Sequence, residues 1–180
     1  MKDREILLAV GGGISAYKSA DLASRMVKAG AKVTALMTRS ARRFIGPVTF
    51  EGLTGRPVYS SLWKKPGGHS MAHIALADVA ELMIVAPATA DLIGKFASGV
   101  ADDLVTTTFL SVECPVLIAP AMNTRMWANA AVVANVATLE DRGVKLVGPA
   151  EGRLASGAVG MGRMSEPEEI FAVAAGILGG

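Results

Sequence analysis

The sequence predicts an α/β protein in which helices cover both faces of a doubly wound parallel sheet, giving three layers. Short apolar runs alternate along the chain with segments of helical periodicity. The composition agrees with this prediction, because 51% of the residues are hydrophobic and only 5% are aromatic, so Ala, Val, Ile and Leu must build the core. A length of 180 residues is enough for one domain with a substantial core.

Five short apolar runs are predicted to be strands: residues 5–10, 32–37, 79–86, 116–119 and 145–147. Six segments are predicted to be helical: residues 15–29, 40–44, 92–98, 104–110, 124–136 and 167–178. Gly30 ends the first of these helices and Gly46-Pro47 the second, whereas Pro167 suits a helix start. Residues 55–69 are rich in Gly, Pro, Ser and Lys and are predicted to be an irregular surface excursion. This alternation is typical of a right-handed sheet of the flavodoxin-like or Rossmann-like kind.

Charge and composition exclude several classes of function. The 18 basic and 16 acidic residues give a net charge of +2, which offers no electrostatic basis for nucleic-acid binding. The single cysteine, Cys114, excludes an internal disulfide and fits a reducing compartment. The first apolar run is too short for a signal peptide, and no later run is long enough to span a membrane. We therefore expect a cytoplasmic protein without nucleic-acid or membrane partners, and we predict no metal site.

Unusual residue clusters follow the ends of the predicted strands. They occupy residues 11–18, 37–40, 87–91 and 120–123. Ligands of doubly wound sheets bind beyond the carboxyl ends of the strands. The pattern alone therefore predicts a ligand site at this edge.

The first cluster predicts a phosphate-binding loop, although a plain tight turn would also need glycines. Gly11 to Ala16 satisfies the dinucleotide fingerprint, whose glycines let backbone amides approach a phosphate at a helix N-terminus. An NAD enzyme normally has Asp or Glu at the end of its second strand to bind the ribose hydroxyls. This chain instead has Thr38, Arg39 and Ser40 there. Hydroxyls beside glycine amides favour a mononucleotide such as FMN, with NAD as the alternative.

Five motifs together carry a resemblance to a known family. They are residues 12–18 (GGISAYK), 71–76 (MAHIAL), 87–91 (PATAD), 99–104 (GVADDL) and 119–123 (APAMN). In this order they resemble the phosphopantothenoylcysteine decarboxylase domain of the bifunctional coenzyme A biosynthesis proteins, a branch of the flavin-containing cysteine decarboxylases. The resemblance implies a flavodoxin-like fold, bound FMN and a homo-oligomer, trimeric or dodecamer-like. It also implies that residues 1–180 form an FMN-binding cysteine decarboxylase domain that lacks the C-terminal synthetase domain.

The same resemblance implies the reaction and assigns residues to it. The expected reaction converts 4′-phosphopantothenoylcysteine to 4′-phosphopantetheine after flavin has oxidised the thiol. His73 would be the catalytic base, which imidazole suits because it titrates near neutral pH, and it could act on a neighbouring subunit's flavin. Asn123 would bind the substrate carboxylate or amide, although an asparagine there could instead cap a helix.

Further positions follow from the resemblance together with the strand-end pattern. Expected FMN contacts are Gly12, Gly13, Ile14, Ser15, Thr38, Ser40, Thr89, Thr106 and Thr107. Met122 and Arg163 are expected at the substrate, and Lys95 is a second basic residue that could meet a substrate phosphate.

Ser156 is the main departure from the family pattern. Residues 152–164 (GRLASGAVGMGRM) resemble the substrate clamp of these decarboxylases, in which a cysteine at this point donates a proton late in the reaction. A serine hydroxyl is a far poorer acid than a thiol, whose pKa is about 8.5. Three outcomes are open: another donor or water completes the reaction, the reaction stops at the enethiol, or the chain is a non-catalytic flavin-binding regulatory subunit. The sequence-based prediction is the first.

Overall fold

The computed structural model describes residues 1–63, 71–153, 157 and 159–179. Its central sheet consists of β1 (Glu5–Val10), β2 (Lys32–Met37), β3 (Leu82–Ala88), β4 (Val116–Pro120) and β5 (Lys145–Leu146). A separate hairpin is formed by β6 (Ala150–Arg153) and β7 (Val159–Arg163). The helices are α1 (Ala16–Lys28), α2 (Pro47–Thr54), α3 (Ala72–Val79), α4 (Ala90–Ser98), α5 (Leu104–Ser111), α6 (Thr124–Trp127), α7 (Ala130–Asp141) and α8 (Pro167–Gly179).

The predicted fold class is confirmed. The central sheet is parallel throughout and has the order β2-β1-β3-β4-β5, which is the flavodoxin-like order. β1 pairs with β2 on one side and with β3 on the other. The strand order therefore reverses between β1 and β3, which is where doubly wound sheets bind their ligands.

Helices cover the two faces of the sheet as the composition requires. Successive side chains of a strand point to opposite faces. Ile6, Leu8 and Val10 of β1 accordingly belong to one core cluster, with buried residues of α1, α2 and α8. Leu7 and Ala9 belong to a second cluster, with buried residues of α3, α4, α5 and α7. Burial on both faces explains why β1 is a continuous apolar run instead of an alternating one.

Two helices differ from the sequence-based prediction. Residues 40–44 were predicted to be helical and to end at Pro47, but Ala41–Arg43 forms only a 3-10 turn and α2 begins at Pro47. Proline suits the first position of a helix because that position needs no backbone N–H donor. The helix α3 was not predicted, and the third strand starts at Leu82 instead of Val79.

Other boundaries also shift. The predicted helix over 124–136 is divided into α6 and α7, because the Asn129 side chain accepts from the Ala131 amide at 3.0 Å and starts a new helix. β3 continues past Pro87 to Ala88, with a shift of register against β4. The hairpin strands β6 and β7 were not predicted, since their glycines give little strand propensity.

The described part of the predicted excursion is irregular as expected. Residues 55–63 contain no helix, and Tyr59 pairs with Leu36 in a single parallel bridge. The rest of the excursion, including His69, lies outside the described residues. Among the helices that the structure describes, none combines the length and apolar character needed to cross a membrane.

The unpredicted helix α2 offers a matched pair of glycine substitutions. A Cβ added at Gly52 or at Gly55 would meet no atom of the described residues within 4 Å. Gly55 has a φ of +66° at the end of the helix, whereas Gly52 lies inside it. We expect Gly52→Ala to raise the free energy of unfolding by roughly 0.5–1 kcal/mol, because alanine favours the helix. We expect Gly55→Ala to lower it by about 1–2 kcal/mol, because alanine resists a left-handed conformation.

Urea denaturation at a fixed protein concentration, followed by circular dichroism, measures both changes. Equal effects of the two substitutions would contradict the position of α2.

Candidate functional site

A cleft lies at the carboxyl edge of the sheet, where the loops after β1, β2, β3 and β4 meet the β6–β7 hairpin. Its volume is about 1290 Å³. Pockets for single small ligands usually measure roughly 300–1,000 Å³. The cleft therefore has room for a cofactor and a second molecule side by side.

Two of the three consecutive glycines are required by packing inside the protein. A Cβ at Gly11 would lie 2.2 Å from the carbonyl oxygen of Pro87, and one at Gly12 would lie 2.3 Å from the Cβ of Ser40. A Cβ at Gly13 would have no neighbour closer than 3.8 Å. The first two glycines thus hold the loop against the segments after β3 and β2, and Gly13 leaves space on the cleft side.

The N-terminus of α1 gives this part of the cleft a geometry that suits anions. Gly12, Gly13, Ile14 and Ser15 line the cleft, and Ser15 makes no side-chain capping hydrogen bond. Helix N-termini carry a partial positive charge and free backbone N–H groups, which suit a phosphate.

The loop after β2 adds hydroxyl groups and a cation to the same region. The Thr38 hydroxyl accepts from the Ala41 amide at 3.0 Å, which fixes the turn that carries Arg39 and Ser40. All three residues from 38 to 40 line the cleft. The amides, hydroxyls and Arg39 of these two loops suit an anion, and we call this end of the cleft the anion-binding end.

Asn123 and Met122 form part of the opposite wall. The Asn123 side chain accepts from the Arg125 amide at 2.9 Å and so caps α6, while Asn123 also lines the cleft. The capping role and a ligand-binding role are therefore compatible at this residue. Met122 donates its amide to the carbonyl of Gly162 at 2.9 Å, which ties this wall to β7.

The hairpin rests on that wall through two glycines. A Cβ at Gly162 would lie 2.3 Å from the carbonyl oxygen of Met122, and one at Gly160 would lie 2.9 Å from Oγ1 of Thr124. Gly162 also has a φ of +138°, which L-amino acids rarely adopt. Only glycine lets β7 approach this closely. Ser156 belongs to the connection between β6 and β7 and lies outside the described residues.

Charged side chains are unevenly distributed around the cleft. Lys95 forms ion pairs with Asp91 and Asp102 at 3.3 and 3.1 Å. Burial opposes its charged form, but the hydrogen bonds and charges of the two carboxylates raise the pKa of Lys95. On the hairpin side, Arg163 and Lys18 share the carboxylate of Glu166. The hydrogen bond from Lys18 lowers the pKa of Glu166, so this carboxylate is ionised at neutral pH.

Eleven of the predicted site residues meet in the cleft. They are Gly12, Gly13, Ile14, Ser15, Thr38, Ser40, Thr89, Lys95, Met122, Asn123 and Arg163. Thr89 also caps α4 by accepting from the Leu92 amide at 3.4 Å.

Thr106 and Thr107 are not brought to the cleft. The Thr106 side chain is fully buried and shares a capping box with Asp103 at the start of α5. The Thr107 hydroxyl donates to the carbonyl oxygen of Asp103 at 2.7 Å. Both hydroxyls therefore make hydrogen bonds to Asp103 at the start of their own helix, α5.

His73 also lies outside the cleft of its own chain. It is half-buried in the first turn of α3. Several residues near it in the sequence are apolar and exposed: Met71 is 61% exposed, Ile74 41% and Val79 54%.

Several residues of the site had no predicted role. Lys18, Asp102 and Asp103 lie within recognised motifs but had been given no function, and Arg153 also lines the cleft. Glu166 lies outside every motif; Arg163 is three positions away, but nothing in the local sequence indicates the ion pair with Lys18.

Comparison with known proteins identifies similar sequences over almost the whole chain. The flavoprotein family model matches residues 1–179. The coenzyme A biosynthesis bifunctional protein CoaBC of Bacillus subtilis (strain 168) is 48% identical over 174 residues, which are 97% of this chain and 43% of the relative. CoaBC of Vibrio vulnificus (strain YJ016) is 48% identical over 170 residues, 94% and 42% of the two chains. The chain thus spans less than half the length of these curated relatives.

Solved structures show the same architecture. A cysteine-to-serine mutant of PPC decarboxylase, complexed with pantothenoylaminoethenethiol, has a TM-score of 0.88 and 30% identity, with 99% of this chain and 100% of that chain covered. The FMN-dependent cysteine decarboxylase SpaF has a TM-score of 0.80 and 31% identity over 95% and 97% of the two chains. The FMN-binding protein AtHal3 has a TM-score of 0.81 and 30% identity over 96% and 95%.

The contact between Gly162 and Met122 can be tested by hydrogen exchange. In Gly162→Ala the new Cβ would meet the Met122 carbonyl, so β7 must move away and the hydrogen bond from the Met122 amide must weaken. We expect exchange of that amide to accelerate by roughly 3- to 10-fold.

Gly46→Ala is the matched control, because a Cβ there meets nothing within 4 Å in the part of the chain that the structure describes. Unchanged exchange at Met122 in Gly162→Ala would contradict the direct docking of the hairpin.

Proposed function

Since the chain belongs to the flavoprotein family, we propose that it binds FMN and decarboxylates 4′-phosphopantothenoylcysteine to 4′-phosphopantetheine, a step of coenzyme A biosynthesis. One observation carries the proposal: the glycine loop at the β1–β3 reversal lies across one cleft from Met122 and Asn123. Similarity to curated bifunctional proteins of coenzyme A biosynthesis and to a PPC decarboxylase structure supports the substrate.

The anion-binding end of the cleft fits the phosphate of FMN. The backbone amides of residues 12–15 and the hydroxyls of Ser15, Thr38 and Ser40 would hold it, and Thr89 would lie farther along the cofactor. Bound FMN would supply the two-electron oxidation of the substrate thiol, which makes loss of carbon dioxide possible, and in its reduced form it would return both electrons in the last step. Two solved structures that resemble this chain are described as FMN-dependent or FMN-binding, which supports this choice of cofactor.

Asn123 would hold the substrate carboxylate before carbon dioxide leaves. Its capping bond to Arg125 fixes the side chain, so little conformational freedom is lost when the substrate binds. A neutral amide also orients the carboxylate without a cation that would stabilise it against decarboxylation. Met122 and Arg163 would complete the substrate side of the cleft.

His73 would act across a contact between subunits of a homo-oligomer, such as a trimer or a dodecamer-like ring. It does not line the cleft of its own chain, and the exposed apolar residues Met71, Ile74 and Val79 surround it in sequence. Burial of such residues stabilises protein–protein contacts. In the neighbouring cleft its imidazole would take the proton from the substrate thiol.

This activity would belong to residues 1–180 as a decarboxylase domain. The curated relatives are bifunctional by name and more than twice as long, so a synthetase activity would belong to the part that this chain does not match. The proposed location is the cytoplasm, supported by the single cysteine.

A second candidate function follows from Ser156. If no other group replaces the family's cysteine as proton donor, the reaction would stop at the enethiol. The similar PPC decarboxylase structure is a cysteine-to-serine mutant, and by name its ligand is an ethenethiol. That combination supports the enethiol as the alternative product.

The product distinguishes these functions. Purified protein is expected to carry FMN, visible in its absorbance, and to convert 4′-phosphopantothenoylcysteine to 4′-phosphopantetheine, identified by mass spectrometry. His73→Asn is expected to keep the flavin and to lose turnover, because an amide cannot act as the base.

Three other results would each favour a different conclusion about the function. A product lighter by two hydrogens would establish the enethiol alternative. Bound FMN with no turnover, and no difference between His73→Asn and wild type, would indicate a regulatory subunit. Protein that takes up no FMN would contradict the proposal as a whole.

Co-expression of two inactive variants tests whether sites are shared between subunits. Asn123→Asp keeps a helix-capping oxygen but repels the substrate carboxylate, while His73→Asn removes the base. If His73 serves a neighbouring cleft, mixed oligomers contain some sites with both native residues, and activity returns in part.

Mixed oligomers are purified through a different affinity tag on each variant. Oligomers that carry one variant under both tags are the control. If each cleft used its own His73, every site would keep one defect and the mixture would stay inactive.

A further inference from the structure

Basic side chains lie at two corners of the cleft, and the two corners differ in net charge. In the first, the Lys95 ammonium lies 3.3 Å from Asp91 and 3.1 Å from Asp102, so two carboxylates face one cation. In the second, Lys18 and Arg163 both pair with Glu166, so two cations face one carboxylate. Asp103 adds to the excess negative charge near the first corner. Near the second corner, the Glu169 carboxylate accepts from the Glu166 amide at 3.0 Å and Arg153 adds a third cation, so an excess positive charge remains. An anionic ligand group is therefore attracted to the second corner.

Lys18 anchors the second corner inside the protein. Its side chain is only 7% exposed, and its ammonium donates to the carbonyl of Met164 at 3.2 Å and to Glu166 at 3.0 Å. A buried cation is costly unless it is paired and hydrogen-bonded, so these contacts fix Glu166 against α1. Lys18 itself has little surface left for a ligand.

Glu166 in turn orients Arg163. The same Oε1 atom that Lys18 contacts also accepts from Nη2 of Arg163. The guanidinium lies over Gly152 of the paired strand, where an added Cβ would be only 3.2 Å from Nη1. The Arg163 side chain remains 44% exposed and lines the cleft. The buried lysine thus holds a carboxylate, and the carboxylate holds an accessible guanidinium.

We propose that this network of Lys18, Glu166 and Arg163 is the subsite for the phosphate monoester of the substrate, with Glu166 as a positioning residue. The guanidinium would bind two phosphate oxygens through its planar set of N–H donors. Because Glu166 already restricts the arginine, less side-chain entropy is lost on binding. The inference rests on the proposed function and adds to it the residue that selects phosphorylated substrate.

The test compares two substrates that differ only in the phosphate. The ratio of kcat/KM for 4′-phosphopantothenoylcysteine to that for pantothenoylcysteine measures the phosphate preference. We expect Arg163→Gln to lower this ratio by roughly 10- to 100-fold, as expected for loss of a charged hydrogen-bonded contact. Glu166→Gln is expected to lower it less, because the guanidinium remains but is no longer held, and Glu166→Asp is expected to restore part of the preference.

Two further variants serve as comparisons. Glu168→Gln removes a carboxylate of α8 that pairs with Arg25 at 2.5 Å instead of with the cleft, and it is expected to keep the wild-type ratio. Lys95→Gln tests the other basic corner. Loss of preference in Lys95→Gln with none in Arg163→Gln would overturn the proposal. Equal losses on both substrates in Glu166→Gln would overturn its positioning role.

A binding experiment separates this inference from the proposed function. Calorimetry compares the affinities of 4′-phosphopantetheine and pantetheine for the FMN-loaded protein and its variants, without any turnover. A phosphate-dependent affinity that falls in Arg163→Gln supports the subsite even if wild type proves inactive. If Arg163→Gln instead weakens retention of FMN and leaves the phosphate preference intact, the network binds the cofactor phosphate and the inference is wrong.

Discussion

The backbone of the glycine loop lies directly against the segments that follow β2 and β3, and the cleft depends on that contact. Carbonyl and backbone atoms occupy the positions where side chains at residues 11 and 12 would have to go. Because the loop packs so closely, α1 starts at the edge of the sheet with its N-terminal amides toward the cleft. Larger residues at these two positions would separate the strand ends and displace the helix N-terminus.

Close packing of glycines also forms the other side of the site. Glycines of β7 approach the backbone of the loop after β4, and a hydrogen bond between Met122 and Gly162 joins the two. Asn123 is held by its role as a helix cap, so a side chain expected to meet substrate is also fixed by the fold. Glycine is therefore used here for packing as much as for ligand approach.

The charged groups make different parts of the cleft suitable for different ligand groups. The two loops after β1 and β2 suit one phosphate, the hairpin corner has an excess positive charge, and the corner at Lys95 has an excess negative charge. The lowered pKa of Glu166 means that its ion pairs are fully formed above the ordinary range of a carboxyl group. Their stabilising effect is lost only as the pH falls through that lowered pKa. The ion pairs of Glu166 therefore persist across the neutral range.

The sequence by itself determined the fold class and most of the cleft, because periodicity and composition report local burial and strand ends converge in any parallel sheet. It placed the residues at 12–15, 38–40 and 122–123 near one ligand site. Only the tertiary structure decided that Thr106 and Thr107 serve their own helix, that His73 lies outside the cleft of its chain, and that Glu166 joins Lys18 across 148 positions of sequence. Those outcomes depend on which elements pack together, and local sequence does not encode contacts between residues so far apart.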